Sequence, residues 1–141
     1  MIIPISKENE SVWAELCACL WPHHTAESFI QEKYSGGFKN EFLYVIKEEI
    51  VAFVSLSLRH DYVEGTESSP VGYLEGIYVK PEFRNQGIAK KLVEYGKLWC
   101  AERGCLEFAS DCLIENDASR QFHNRIGFKE ANTIVCFTMR I

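Results

Sequence analysis

VGYLEGIYVKPEFRNQGIAKKLVEY, residues 71–95, joins an apolar strand to an amphipathic helix through a Pro-containing turn and a short glycine loop. The strand reads through Val79 and is stopped by Pro81. From Gly87 to Arg103 the apolar residues Ile88, Leu92, Tyr95 and Trp99 recur at helical spacing, and Gly104 is placed to end the helix. Backbone N–H groups from Arg84 to Ala89 have no partner within such a helix start. The helix dipole favours negative charge at the same place, and Gly87 lets a ligand approach without meeting a side chain. Arg84, Lys90 and Lys91 add positive charge, so the junction suits a pyrophosphate. Taken by itself, the glycine loop reads equally well as a tight connection flanked by exposed basic residues.

Working outward, Ile2–Ile5 is a short strand, and Ser6 can cap a helix with Val12, Leu16, Cys19 and Leu20 on one stripe, stopped by Pro22. A second helix is expected over Ala26–Tyr34, followed by the breaker pair Gly36-Gly37. EFLYVIKEEIVAFVSLSLRH, residues 41–60, gives two strands of an antiparallel hairpin, and the polar segment 61–70 is a loop. After the central helix, CLEFAS at 105–110 is a strand. Asn116 can cap a helix carrying Ala118, Phe122 and Ile126, closed by Gly127, and FKEANTIVCFTMRI at 128–141 supplies a last strand. No repeat or linker divides the chain, so residues 1–141 are expected to form a single domain of mixed α/β (α+β) class.

The net charge of −5 opposes a nucleic acid and suits a cationic partner. No apolar run is long enough to span a bilayer and the N-terminus lacks a secretory layout, so a soluble, cytoplasmic protein without membrane attachment is expected. The six cysteines are scattered through apolar-patterned segments and read as buried thiols. Cys17 and Cys19 lie about 200° apart around a helix and cannot face one metal together, so no metal site is expected.

Two carboxylates stand out as acid–base candidates. Glu75 shares strand parity with Val71, Tyr73, Ile77 and Val79, which in a regular strand sets it among apolar neighbours and raises its pKa, as a general base requires; a bulge would instead turn it outward. Asp111 follows CLEFAS at a strand's carboxyl end, where sites in α/β sheets gather and where turn or capping aspartates are also common. Asp61, Glu64, Glu67 and Glu75 lie between Asp61 and Gly76 with no Lys or Arg among them. They form a field able to attract ammonium groups or, read blandly, a solvated loop.

Arg84-Asn85-Gln86-Gly87-Ile88-Ala89 resembles the Q/R-x-x-G-x-G/A acyl-CoA motif of the GNAT superfamily of N-acetyltransferases, and the element order is similar across nearly the whole chain. LWPHH at 20–24, the stretch 59–92 and EFASDCLIENDAS at 107–119 are similar to aminoglycoside 6'-N-acetyltransferases. The resemblance implies a GNAT fold: a mixed central sheet flanked by helices, whose parallel strands, here 71–79 and 105–109, splay beside a bulge to admit the pantetheine arm. It implies acetyl-CoA as cosubstrate, met by the backbone of Ile77, Tyr78 and Val79, with Asn85, Gln86, Gly87, Ile88, Ala89 and Lys90 at the pyrophosphate and Asn116 also touching the cofactor.

On the acceptor side the resemblance implies that Trp21, His24, Tyr62, Glu75 and Asp111 contact an aminoglycoside or other polycationic amine, and that two copies pair through their final strands as a homodimer. Many members carry a Tyr on the penultimate helix to protonate the leaving thiolate; His123 stands there in this chain and is the candidate proton donor. A carboxylate that relatives place near the final strand corresponds to Asn132. Direct amine attack in a ternary complex is expected. Two other readings share these residues: a GNAT acetyltransferase for another small amine or polyamine, and a non-catalytic acyl-CoA- or drug-binding module.

Overall fold

The computed structural model describes residues 1–141. In chain order come β1 (Ile2–Pro4), α1 (Glu10–Leu20), α2 (Ala26–Tyr34), β2 (Asn40–Ile46), β3 (Glu49–Arg59), β4 (Val71–Val79), a 3-10 turn at Pro81–Phe83, α3 (Ile88–Ala101), β5 (Phe108–Ala109) and α4 (Asp117–Ile126). The strands form one sheet in the order β1-β2-β3-β4-β5. Neighbours are antiparallel except β4 and β5, which run parallel, giving the mixed sheet expected. Lys47 and Glu48 both adopt left-handed φ values, of 47° and 68°, and so turn β2 into β3 with the twist a two-residue hairpin needs.

Each face of the sheet is covered by helix. Leu74 and Val79 of β4 pack against Ile88, Leu92, Val93 and Trp99 of α3. On the other face Leu43 and Phe53 meet Trp13, Leu16 and Cys17 of α1 and Phe29 of α2. Where α3 crosses β4 there is no room for a side chain: a Cβ on Gly72 would stand 2.3 Å from Cys100 Sγ. Burial there pushes the Cys100 thiol up to about 12.

Five expectations change. Ser6 does not cap α1; its backbone N–H donates to Asn9 Oδ1 at 2.7 Å, so a turn precedes the helix and Asn9 is the N-cap. The buried stripe is Trp13, Ala14, Leu16 and Cys17 and leaves Cys19 exposed, because the Trp13 indole N–H is anchored at 3.0 Å to the buried Glu41 carboxylate and fixes the helix rotation. Cys112 and Cys136 are exposed as well, so three of the six free thiols are buried. Strand β5 spans two residues of the six in CLEFAS, since its register with β4 covers only Gly72↔Phe108 and Tyr73↔Ala109.

The largest change is at the C-terminus. Residues 129–141 are exposed and form no strand. A strand needs a neighbour for its backbone groups, and the short β5 edge offers almost none within this chain. Ala131 and Asn132 lie against the 61–67 loop: a Cβ on Gly65 would meet Ala131 Cβ at 2.3 Å, and Asn132 Nδ2 donates to Glu64 Oε1 at 2.7 Å. Beyond them Ile134, Val135, Phe137, Met139 and Ile141 are all exposed.

Gly72→Ala is expected to lower stability by about 1–3 kcal/mol through overpacking at Cys100, measured by thermal denaturation. A melting temperature equal to wild type would show that α3 moves aside at no cost.

Candidate functional site

Glu75 sits at a bulge in β4. Ser55 of β3 pairs with Gly76 and the next residue, Leu56, pairs with Leu74, so Glu75 is the extra residue. Parity breaks there. Val71 and Tyr73 cluster with Val63 beside the loop, whereas Ile77 and Val79 pack with the α3-side core. Glu75 keeps the side of Val71 and Tyr73, but its carboxylate meets polar groups there and not the apolar ones that strand parity predicts. Ser57 Oγ donates to Oε2 at 2.5 Å, and the Arg59 guanidinium reaches both oxygens, with Nη2 at 2.9 Å from each and Nε at 3.2 Å from Oε2.

Glu75 is part of the floor of an open cavity of about 900 Å³, together with Ser55 and Ser57. Trp21, His24, Phe29 and Phe38 contribute its walls. The Trp21 ring lies over the bulge, and a Cβ on Gly76 would be 2.6 Å from it, so glycine is required for the indole to sit there. Phe29 and Phe38 hold Trp21 with ring centroids 5.7 and 6.2 Å away, and His24 meets Phe29 edge-on at 5.8 Å. Thr25, whose side chain accepts from Ser28 N, starts α2 and fixes the turn that carries His24.

Asp111 is exposed after β5 and accepts a hydrogen bond from the Tyr73 hydroxyl. Burial, then this bond to Asp111, pushes the Tyr73 phenol well up, so it remains a donor. The Arg59 guanidinium carbon stands 3.4 Å over the Tyr73 ring. Glu75, Arg59, Tyr73 and Asp111 thus form one continuous chain of contacts.

His123 of α4 lies on the β5 side. Its Nδ1 is 2.7 Å from the Ser119 carbonyl and its Nε2 2.8 Å from Ser110 Oγ, which itself donates to the Leu74 carbonyl at 3.0 Å. Ser110 has one proton to give. Its hydroxyl therefore ties the His123 ring to the β4 backbone.

Pairing of β4 with β5 ends at Tyr73, so the β4 edge from Glu75 to Val79 opens beside the bulge. At the far end of that edge, Asn85 and Gly87 take left-handed φ values of 63° and 78°. Gly87 is the N-cap of α3 and no side chain caps the helix, leaving its first N–H groups unpartnered; nothing lies within 4 Å of where a Gly87 Cβ would be. This is a site a phosphate fits. Of the three cations expected there, Arg84 instead donates to the Val79 carbonyl at 2.8 Å, and Lys91 to Tyr44 Oη at 3.3 Å, leaving exposed Lys90 without such a bond. Asn116 caps α4 by accepting from Ser119 N.

The structure therefore brings Trp21, His24 and Glu75 together and links Asp111 to them through Tyr73 and Arg59. It does not bring Tyr62, which is 75% exposed, with its hydroxyl accepting from Gly65 N at 3.4 Å. Arg59, Tyr73, Ser57 and Ser110 escaped the sequence reading. Arg59 could have been found, because it is the sole Lys or Arg between Lys47 and Lys80 and shares strand parity with Ser55 and Ser57.

Glu41 also escaped it. It is 2% exposed beneath the cavity, in register with Ser55; Trp13 donates to one oxygen and Oε2 has no partner. Burial pushes its pKa up to about 7, with the Ser55 and Trp13 dipoles partly offsetting this and the Glu75 charge adding to it.

A model of the acetyltransferase (GNAT) family matches residues 9–128. The chain is similar to an aminoglycoside N(6')-acetyltransferase type 1 of Acinetobacter baumannii, at 38% identity covering 99% of this chain and 98% of that one. The fold superposes on the crystal structure of an aminoglycoside antibiotic 6'-N-acetyltransferase from Acinetobacter haemolyticus with a TM-score of 0.94, at 35% identity over 100% of this chain and 99% of the other. It is also similar to AAC(6')-Iy in complex with the bisubstrate analog CoA-S-monomethyl-acetylneamine, with a TM-score of 0.91 and 33% identity, covering 100% and 98% of the two chains.

The Glu41 environment sets a pH dependence. Its folded pKa of about 7 lies above the 4.5 of a free side chain, so the native state holds the proton more tightly. The resulting stability is present in full below pH about 4.5 and is lost as pH rises through about 7, on the order of 3 kcal/mol in all. Glu41→Gln keeps an acceptor for Trp13 and is expected to flatten denaturation midpoints between pH 5 and 8. A wild-type slope retained in the variant would assign the titration to another group.

Proposed function

Because the chain belongs to the acetyltransferase (GNAT) family, we infer that it transfers acetyl from acetyl-CoA to the 6'-amine of aminoglycoside antibiotics. The observation that carries this is the layout of β4: a carboxylate on the cavity floor at Glu75, followed within four residues by an unpaired backbone edge that leads to the uncapped start of α3. Acceptor and cofactor can meet on one strand. Acetylation of a cationic drug removes a positive charge, which fits a role in antibiotic resistance.

Acetyl-CoA supplies the thioester. Backbone groups of Ile77, Tyr78 and Val79 line the open edge and hold the pantetheine; Asn85, Gln86, Gly87, Ile88, Ala89 and Lys90 surround the pyrophosphate, and Asn116 lies at the cofactor. Trp21 and His24 pack on the sugar, while exposed Tyr62 and the acids Asp61, Glu64 and Glu67 meet parts of the acceptor that project from the cavity. Glu75, directly or through a water, takes the proton an ammonium must lose before it attacks, and Asp111 binds a further ammonium. His123, held between Ser119 and Ser110, gives a proton to the departing sulfur. The amine attacks directly in a ternary complex, with no acetyl-enzyme.

The 141-residue chain acts as one N-acetyltransferase domain, in the cytoplasm where acetyl-CoA is available. No helix is long and apolar enough to cross a membrane. Residues 133–141, apolar at both parities and exposed, are covered by a second copy in a homodimer. Deleting them is expected to shift the light-scattering mass in solution from two chains to one. A full-length protein of one-chain mass would remove the dimer from this account.

Thiol release from acetyl-CoA with kanamycin is the direct test, with mass spectrometry expected to find one added acetyl group on the drug. Glu75→Gln should cut kcat by about 10²–10⁴ while acetyl-CoA affinity stays at the wild-type value. Turnover with spermidine or a lysine peptide and none with kanamycin would reassign the acceptor. Acetyl-CoA binding with no thiol release for any amine would make the protein a binding module.

A further inference from the structure

We propose that Arg59 is a specificity-determining residue, an internal cation that occupies Glu75 until a multiply charged acceptor displaces it. The proposal rests on the reading that this cavity acetylates an amine. Both Glu75 oxygens are taken: Arg59 Nη2 lies 2.9 Å from each, and Ser57 and Arg59 Nε add two further donors on Oε2. A guanidinium fork matches a carboxylate better than a single ammonium does. Arg59 is also held from below, by the Tyr73 ring 3.4 Å away, and Tyr73 is itself tied to Asp111. An entering amine therefore finds its base already paired.

The pair is nevertheless open to exchange. The side chains of Arg59 and Glu75 are 41% and 31% exposed, so water screens the ion pair and Arg59 has a route outward. What decides the exchange is how many charges the acceptor brings. A monoamine must compete for Glu75 with one ammonium against a fork that also stacks on a ring. An acceptor with several ammonium groups is held at the same time by exposed Asp111, which Tyr73 links to Arg59, so its reactive amine competes from a high local concentration. Arg59 thereby filters acceptors by charge number, separately from the fit of the sugar against Trp21.

The test compares kanamycin with methyl 6-amino-6-deoxyglucoside, which carries one amine on the same kind of ring. In Arg59→Met, which keeps an apolar stem over Tyr73, the kanamycin-to-monoamine ratio of kcat/KM is expected to fall about tenfold because the monoamine gains. In Arg59→Lys, a cation without the fork, the ratio falls less. An unchanged ratio in Arg59→Met, or a fall in both substrates together, overturns the proposal. A second readout needs no variant to turn over: the Arg59 Nε–H resonance of the wild-type protein, assigned by its absence from Arg59→Lys, is expected to shift and lose protection from solvent exchange as kanamycin is added. A resonance unmoved at saturating kanamycin overturns the proposal while leaving the acetyl-transfer reading intact. Failure of wild type to release thiol with any aminoglycoside would sink that reading instead, and the titration would still show whether the drug displaces Arg59.

Discussion

Two residues of β4, Leu74 and Gly76, pair with adjacent residues of β3, and the residue between them has no partner. That surplus is the constraint on which the site depends. Because Glu75 is extra, it and Gly76 both serve the α1 side of the sheet: one gives its carboxylate to the cavity floor, the other gives bare backbone for Trp21 to cover. Because the strand bends there, its other edge leaves β5 after Tyr73. Without the bulge Glu75 would still face that side, but Gly76 would turn to the other face and the strand would continue beside its neighbour.

The surroundings keep charge at this point without burying it deeply. Glu75 is paired with a half-exposed arginine, and its neighbour Glu41, which is buried, carries a proton at neutral pH as readily as not. Two full negative charges close together beneath aromatic walls would be costly. The division of labour between an exposed, paired acid and a buried, titrating one avoids that cost, and it fixes α1 as well, since Trp13 takes its rotation from the buried carboxylate.

What was legible in the sequence follows from how local each signal is. The turn from Pro81 to Gly87, the start of α3, the Ala26–Tyr34 helix and the Asn116 and Gly127 caps are set within a few residues, and the structure has them as read. Trp21, His24 and Glu75 were marked on the residues and on the family resemblance and do meet in one cavity. The family resemblance implies a bulge beside the splayed strands, but nothing in VGYLEGIYV itself distinguishes a bulged strand from a regular one; only the register with β3 places the extra residue at Glu75. Arg59 and Tyr73 became visible only when β3 and β4 were laid side by side, placing a guanidinium over a ring 14 positions away in the chain. The last 13 residues have strand-like composition but no strand, since composition expresses a preference and a ladder requires a neighbour.

The position of Trp21 has an optical consequence. Of the three tryptophans, Trp99 is 7% exposed in the core on the α3 side of the sheet, and Trp13, 0% exposed, stands behind the cavity walls Phe29 and Phe38. Trp21 alone packs its ring against Gly76 on the strand that carries Glu75 and lines the cavity. Its emission therefore reports on that space directly, with Trp99 on the far side of the sheet as background, giving the protein a native fluorophore in the wall of its own cavity.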